Sequence, residues 1–125
     1  MRILRCHKRG VVDAAGNLTL LCEKVRREEQ LVIEQIIAVD EDHDFSTIRI
    51  GVKDGEIDWP IAEQTNAVAA EKYFKAVTMR LNPYEQVYCN FSGATENDVC
   101  HFWCYGVIVM RGESYLKENE HFTGR

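Results

Sequence analysis

A chain of 125 residues with a net charge of −5 is one domain by length and lacks the basic excess of a nucleic-acid binder. Its 46% hydrophobic and 28% charged residues are the composition of a globular protein, which sets aside the disordered and fibrous classes. No run of about 18 apolar residues occurs, and no apolar stretch follows the first basic residues, so the sequence presents neither a membrane span nor a signal peptide.

Residues 1–10 hold Arg2, Arg5, Lys8 and Arg9 around Cys6 and His7. They read as an N-terminal arm, either solvated or docked on an acidic neighbour. A β-sandwich domain is expected over residues 11–110. Residues 11–13, the turn Ala14-Ala15-Gly16-Asn17 and residues 18–23 read as a hairpin, with Gly and Asn supplying positive φ. A charged connection over residues 24–30 leads to a strand rich in Ile and Val at residues 31–39. After an acidic loop at residues 40–44, residues 47–53 alternate Ile48, Ile50 and Val52 against Arg49 and Lys53. Asp54-Gly55 is a strong hairpin signal and leads into residues 57–61, where Pro60 puts the strand at an edge or at its end. Residues 62–72 are rich in Ala and Glu and are the candidate for a single short helix. Strands at residues 73–81 and 86–91, joined by the turn Asn82-Pro83-Tyr84, precede a last strand at residues 99–110. A polar C-terminal arm, residues 111–125, closes the chain, ordered by a neighbour or not at all. Short strands and turns at this spacing specify an all-β fold: an antiparallel β-sandwich or jelly-roll-like barrel with at most one short helix.

The last strand is apolar on both faces. Cys100, Phe102, Cys104, Gly106, Ile108 and Met110 alternate with Val99, His101, Trp103, Tyr105, Val107 and Val109. A strand in a one-sided sheet alternates apolar with polar, so both faces of this one call for a cover. One cover is the domain's core; the other is a second layer of the same domain or a partner subunit. Trp103, Tyr105 and Val107, with Trp59, are the candidate interface residues.

The cysteines are Cys6, Cys22, Cys89, Cys100 and Cys104, an odd count without C-x-x-C spacing. On a strand, Cys100 and Cys104 stand about 13 Å apart, too far for a disulfide or a shared metal. A hairpin between residues 86–91 and 99–104 would bring Cys89 to Cys100, the candidate disulfide within or between subunits; buried free thiols are the plainer reading. Asp40, Asp42 and Asp44 have the first oxygen spacings of a calcium loop, but Phe45 and Gly51 stand where an EF-hand needs Gly and Glu. A solvated acidic turn is therefore the simpler account, with weak cation binding as the alternative. His7, His43, His101 and His121 are scattered, and only a spatial meeting of Cys89 or Cys100 with His43 or His101 would make a thiol nucleophile. The sequence specifies no catalytic residue, no metal and no cofactor.

The pattern Leu81-Asn82-Pro83, then Asn90-Phe91-Ser92-Gly93-Ala94, the Asn97-Asp98 turn and a long apolar strand closing on Gly106-Val107 resembles the last hairpin of small β-sandwich accessory proteins in tailed-phage virions. Ser46-Thr47-Ile48-Arg49-Ile50-Gly51-Val52 is similar to a strand in such proteins, and the likeness covers residues 31–110. The resemblance implies a non-enzymatic virion subunit, a capsid decoration (cement) or neck or tail accessory protein made in the host cytoplasm. Its partners would be further copies of itself and other virion proteins such as a capsid protein, with neither nucleic acid nor membrane. The alternatives are a ligand-binding β module that holds a glycan or small apolar molecule against Trp59, Trp103 and Tyr105, and a thiol or metal enzyme built on Cys89, Cys100 and His43.

Overall fold

The computed structural model describes residues 1–110. Eight strands follow one another: β1 (Arg2–Val11), β2 (Leu18–Leu21), β3 (Glu29–Asp40), β4 (Ser46–Asp54), β5 (Ile57–Ala67), β6 (Tyr73–Leu81), β7 (Gln86–Ser92) and β8 (Val99–Met110). No helix occurs among the described residues. The strands form two four-stranded antiparallel sheets, ordered β1-β8-β3-β6 and β2-β7-β4-β5. Their pairings, β1 with β8, β2 with β7, β3 with β6 and β4 with β5, are those of one long antiparallel ribbon. The ribbon's tip is the β4–β5 hairpin, and wrapping it brings β3 onto β8 and β4 onto β7. This is the double-sheet jelly roll.

Local signals place several elements. The β4–β5 turn spans only Gly55 and Glu56 between the paired residues Asp54 and Ile57, with Gly55 at φ 61°, a conformation that costs glycine little. Pro60 has no N–H to give a ladder, and it lies on β5 at the sheet edge, beside a register shift opposite Gly51. β6 and β8 have the boundaries that their patterns indicate.

Four expectations are corrected. Residues 1–10 are strand β1 and not an arm, paired with β8 from Arg2–Ile108 to Val11–Val99. Leu4 and Cys6 turn inward while Ile3, Arg5 and His7 turn outward, and this alternation outweighs the charge of the segment. Residues 62–67 complete β5, where Arg49–Glu63 and Ile48–Gln64 pair across the ladder, so pairing with β4 overrides the helical leaning of Ala and Glu. Residues 68–72 turn back under the hydrogen bond that the Ala70 amide donates to the Asp40 carbonyl (2.8 Å). The turn after β1 exists, with the Asp13 carboxylate accepting from the amides of Ala15 and Asn17 at 2.9 Å. It joins β1 to β2 across the two sheets and makes no hairpin. β7 and β8 likewise lie in opposite sheets, so no β7–β8 hairpin exists. The expected C-terminal arm, residues 111–125, lies outside the described residues.

The core lies between the sheets. Ile33, Ile36, Ala38 and Phe102 project from one, and Leu20, Ile48, Ile50, Val87 and Phe91 from the other, all buried. β8 runs between β1 and β3, so its even-numbered residues point inward and its odd-numbered residues form the outer face. That face is where the candidate site lies.

Candidate interface face

The register assigns the outer face of the β1-β8-β3-β6 sheet row by row. His7 pairs with Trp103, Trp103 with Ile37, and Ile37 with Phe74, so one row of ring and aliphatic side chains crosses all four strands. The row on one side is Arg5–Tyr105–Gln35–Ala76, and beyond it lies Ile3–Val107–Val32–Arg80. On the other side stand Arg9, His101 and Val39. Trp103, Tyr105 and Val107 are half-buried, whereas Ile3 is 71% and Phe74 53% exposed.

The rings are ordered among themselves. His7 and His101 each stack on Trp103, with centroids 4.9 and 5.3 Å away, and the two imidazoles stack at 5.1 Å. His7 Nε2 and His101 Nδ1 are 2.9 Å apart, so one imidazole donates to the other. The Lys72 ammonium sits 6.0 Å from the centre of the Trp103 ring, within cation–π range. The result is an apolar, aromatic centre with Arg5, Arg9, Lys72 and Arg80 around it.

The structure thus brings together Trp103, Tyr105 and Val107 and leaves Trp59 apart. Trp59 is on β5, the far edge of the opposite sheet, beside Ile57 and Ile61, the three being 46%, 57% and 38% exposed. An aromatic groove formed by Trp59, Trp103 and Tyr105 does not exist. The sequence does not single out the other members of the face: His7 sits in a basic run, and Ile37 and Phe74 reach the Trp103 row only through the pairing of β3 with β8 and β6.

The other sequence candidates resolve as structural groups. All five cysteines are free and buried. Cys89 and Cys100 are on the inner faces of opposite sheets, and burial, then the nearby Cys100, raises the Cys89 pKa well above its ordinary value. Burial, then the Asp40 and Asp98 carboxyls, raises that of Cys100. A thiol so held is protonated and a poor nucleophile. His43 meets no thiol. Its Nδ1 contacts Asp98 at 2.5 Å, and Asp98 is buried beside Asp40. Asp40, expected in a solvated turn, is 1% exposed and accepts hydrogen bonds from the amides of Asp42 (3.1 Å) and His43 (3.4 Å). Asp42 accepts from the Val99 amide (2.7 Å) and Asp44 from the Ala69 amide (2.7 Å). These carboxylates tie loops together at one end of the sandwich. Among the described residues no group of three or more His, Cys, Asp or Glu is arranged to hold a metal.

No protein-family model matches the chain, and no characterised protein matches it by sequence. Solved structures similar to it include infectious bursal disease virus, Gx strain, with 11% identity and a TM-score of 0.47 over 91% of this chain and 33% of that one. The D431N mutant VP2 protein of the same virus, in T=1 particles, has 9% identity and a TM-score of 0.46 over 93% and 33%. The Drosophila NLP core, a pentamer-forming, histone-binding protein by its description, has 14% identity and a TM-score of 0.38 over 83% and 98%. This chain spans about a third of the virus chains it matches.

Proposed function

We propose that this chain is a non-enzymatic structural subunit of a viral particle, a capsid decoration (cement) or neck or tail accessory protein. It stabilises the assembly by docking the outer face of the β1-β8-β3-β6 sheet on a second copy of itself and on other virion proteins such as a capsid protein. The observation that carries this reading is the row His7–Trp103–Ile37–Phe74 with its half-buried neighbours Tyr105 and Val107. Trp, Tyr and Arg are the residues that most often anchor protein contacts, and here they stand together on a rigid sheet. A jelly roll serves many roles, so the fold alone does not choose among them. The choice of a particle is supported by the likeness of residues 31–110 to phage accessory proteins, and the choice of a contact surface by the face itself. The protonated thiols and the loop-tying carboxylates support the non-enzymatic reading.

Mass spectrometry of particles purified from the virus that encodes the chain tests the assignment. The protein is expected in fixed proportion to the capsid protein through density-gradient purification. Its absence from such particles would overturn the particle reading.

A further inference from the structure

A cleft of about 360 Å³ opens between β1 of one sheet and the connection between β2 and β3, residues 22–28, beside the other. That is a size in which small molecules are held. Its floor is apolar: Leu4, Cys6, Cys22, Val25, Leu31 and Ile108, each buried or half-buried. Cys6 is paired in register with Cys104, and Cys22 faces both. Cys22 raises the pKa of Cys6, and Cys104 chiefly raises that of Cys22, to about 11, so the sulfur part of the floor is uncharged. The backbone beneath is also satisfied: the Cys22 amide donates to the Val87 carbonyl (2.9 Å), the Val25 amide to the Glu85 carbonyl (3.0 Å), and Gln86 Nε2 to the Cys22 carbonyl (2.7 Å).

The rim is the reverse of the floor. Arg2, Lys8, Lys24 and Arg26 surround it, against the carboxylates Glu23 and Glu29, while Arg5 borders it on β1 and belongs by register to the outer face. Arg2 is taken by Glu29 at 2.8 Å. Lys8, Lys24 and Arg26 make no ion pair among the described residues. Three such cations at one cleft, with Glu23 as the remaining carboxylate of the rim, are notable in a chain whose net charge is −5. Clefts lined by one sign of charge concentrate ligands of the other.

We propose that this cleft binds a small amphipathic anion, its medium-length apolar body lying on Leu4, Val25, Leu31 and Ile108 and its carboxylate head at Lys8, Lys24 and Arg26. The floor side chains are apolar or uncharged, so the floor favours an apolar body. The rim selects a negative head. The site is separate from the outer face, and its occupancy stands or falls independently of the assembly reading.

The test uses the full chain and three probes below micelle-forming concentration: decanoate, decanol and inorganic phosphate, by titration calorimetry and by amide chemical shifts. Decanoate is expected to bind and to shift the amides of Cys6, Val25 and Leu31. Decanol, which has the body without the charge, and phosphate, which has the charge without the body, are each expected to bind at least about tenfold more weakly, the size of a charge or apolar contribution of about 1.4 kcal/mol. The variants Lys24→Glu and Arg26→Glu change exposed loop residues and are expected to retain the wild-type melting temperature while weakening decanoate by a similar factor together. No decanoate binding, equal binding of decanol, shifts confined to the Trp103 face, or full affinity in the charge variants would each overturn the proposal.

Discussion

At the scale of single residues, Gly106 and His43 carry the sharpest consequences. A Cβ on Gly106 would stand 2.1 Å from the Val32 carbonyl oxygen, where β3 inserts Glu34 as an extra residue between the Ile33–Gly106 and Gln35–Tyr105 pairs. Backbone and not a flexible side chain is what it meets, so Gly106→Ala is expected to destabilise the fold by about 3 kcal/mol, the upper end of the usual cost of overpacking. Urea denaturation with an unchanged m-value is the check. His43 gives a pH dependence of determinate sign. Asp98 raises its pKa above 6.5 in the folded state, so the folded chain holds the proton more tightly than the unfolded one. The stability this contributes is fully present below pH 6.5 and is lost as pH rises through the raised value. Asp40, whose pKa is raised by burial and then by Asp98, acts in the same direction from 3.8 upward. The melting temperature is therefore expected to fall on going from about pH 6 to about pH 8.5, and His43→Gln to flatten that fall. A melting temperature that climbs over this range in the wild type would contradict the His43–Asp98 assignment. Asp42 and Asp44 were legible as members of an acidic loop, but not as the groups that cap the Val99 and Ala69 amides, because those partners are 57 and 25 residues away.

At the scale of elements, the positions of the strands were readable and their partners were not. Alternation of apolar and polar residues marks a strand from its own sequence, and β4, β6 and β8 show it or its two-sided variant. Pairing is decided by what closes the core. Adjacent strands joined by a short turn invite a hairpin reading, yet the turns after β1 and β7 each pass from one sheet to the other. β1 is the instructive case. Its four cations read as an arm, while Leu4 and Cys6 at alternate positions are what seat it against β8. Deleting residues 1–10 is consequently expected to be severe, since it exposes the edge of β8 and opens the core at Phe102 and Cys104, both fully buried. Loss of a cooperative thermal transition, or insoluble expression, is the expected result; a truncated chain that melts as the full one does would show β1 to be dispensable. The same burial predicts the behaviour of the thiols. All five lie on inner faces or just beyond them, so native protein is expected to react with Ellman's reagent far more slowly than protein in guanidinium, which should release five equivalents.

At the scale of the whole molecule, two surfaces with different chemistry lie on one sandwich: an aromatic outer face and a cationic cleft at the β1–β2 side. The doubly apolar pattern of residues 99–110 signalled the first, since a strand cannot bury both faces in a two-layer fold without an outside cover. It said nothing of which strands would flank β8, and hence nothing of His7, Ile37 or Phe74. The cleft was invisible because its cations come from two segments, residues 2–8 and 24–26, that only the jelly-roll wrap brings together. The central claim is that the outer face is the assembly contact. Light scattering coupled to size exclusion, over a range of concentrations, tests it most directly. The account predicts a mass that is a multiple of 14.4 kDa for the wild type. It predicts a shift toward monomer in Trp103→Ala and in Phe74→Glu, with the melting temperature of Phe74→Glu unchanged and about 2 kcal/mol or more of association energy lost per anchor. A wild-type monomer of 14.4 kDa at every concentration, or an oligomer indifferent to both substitutions, would contradict it.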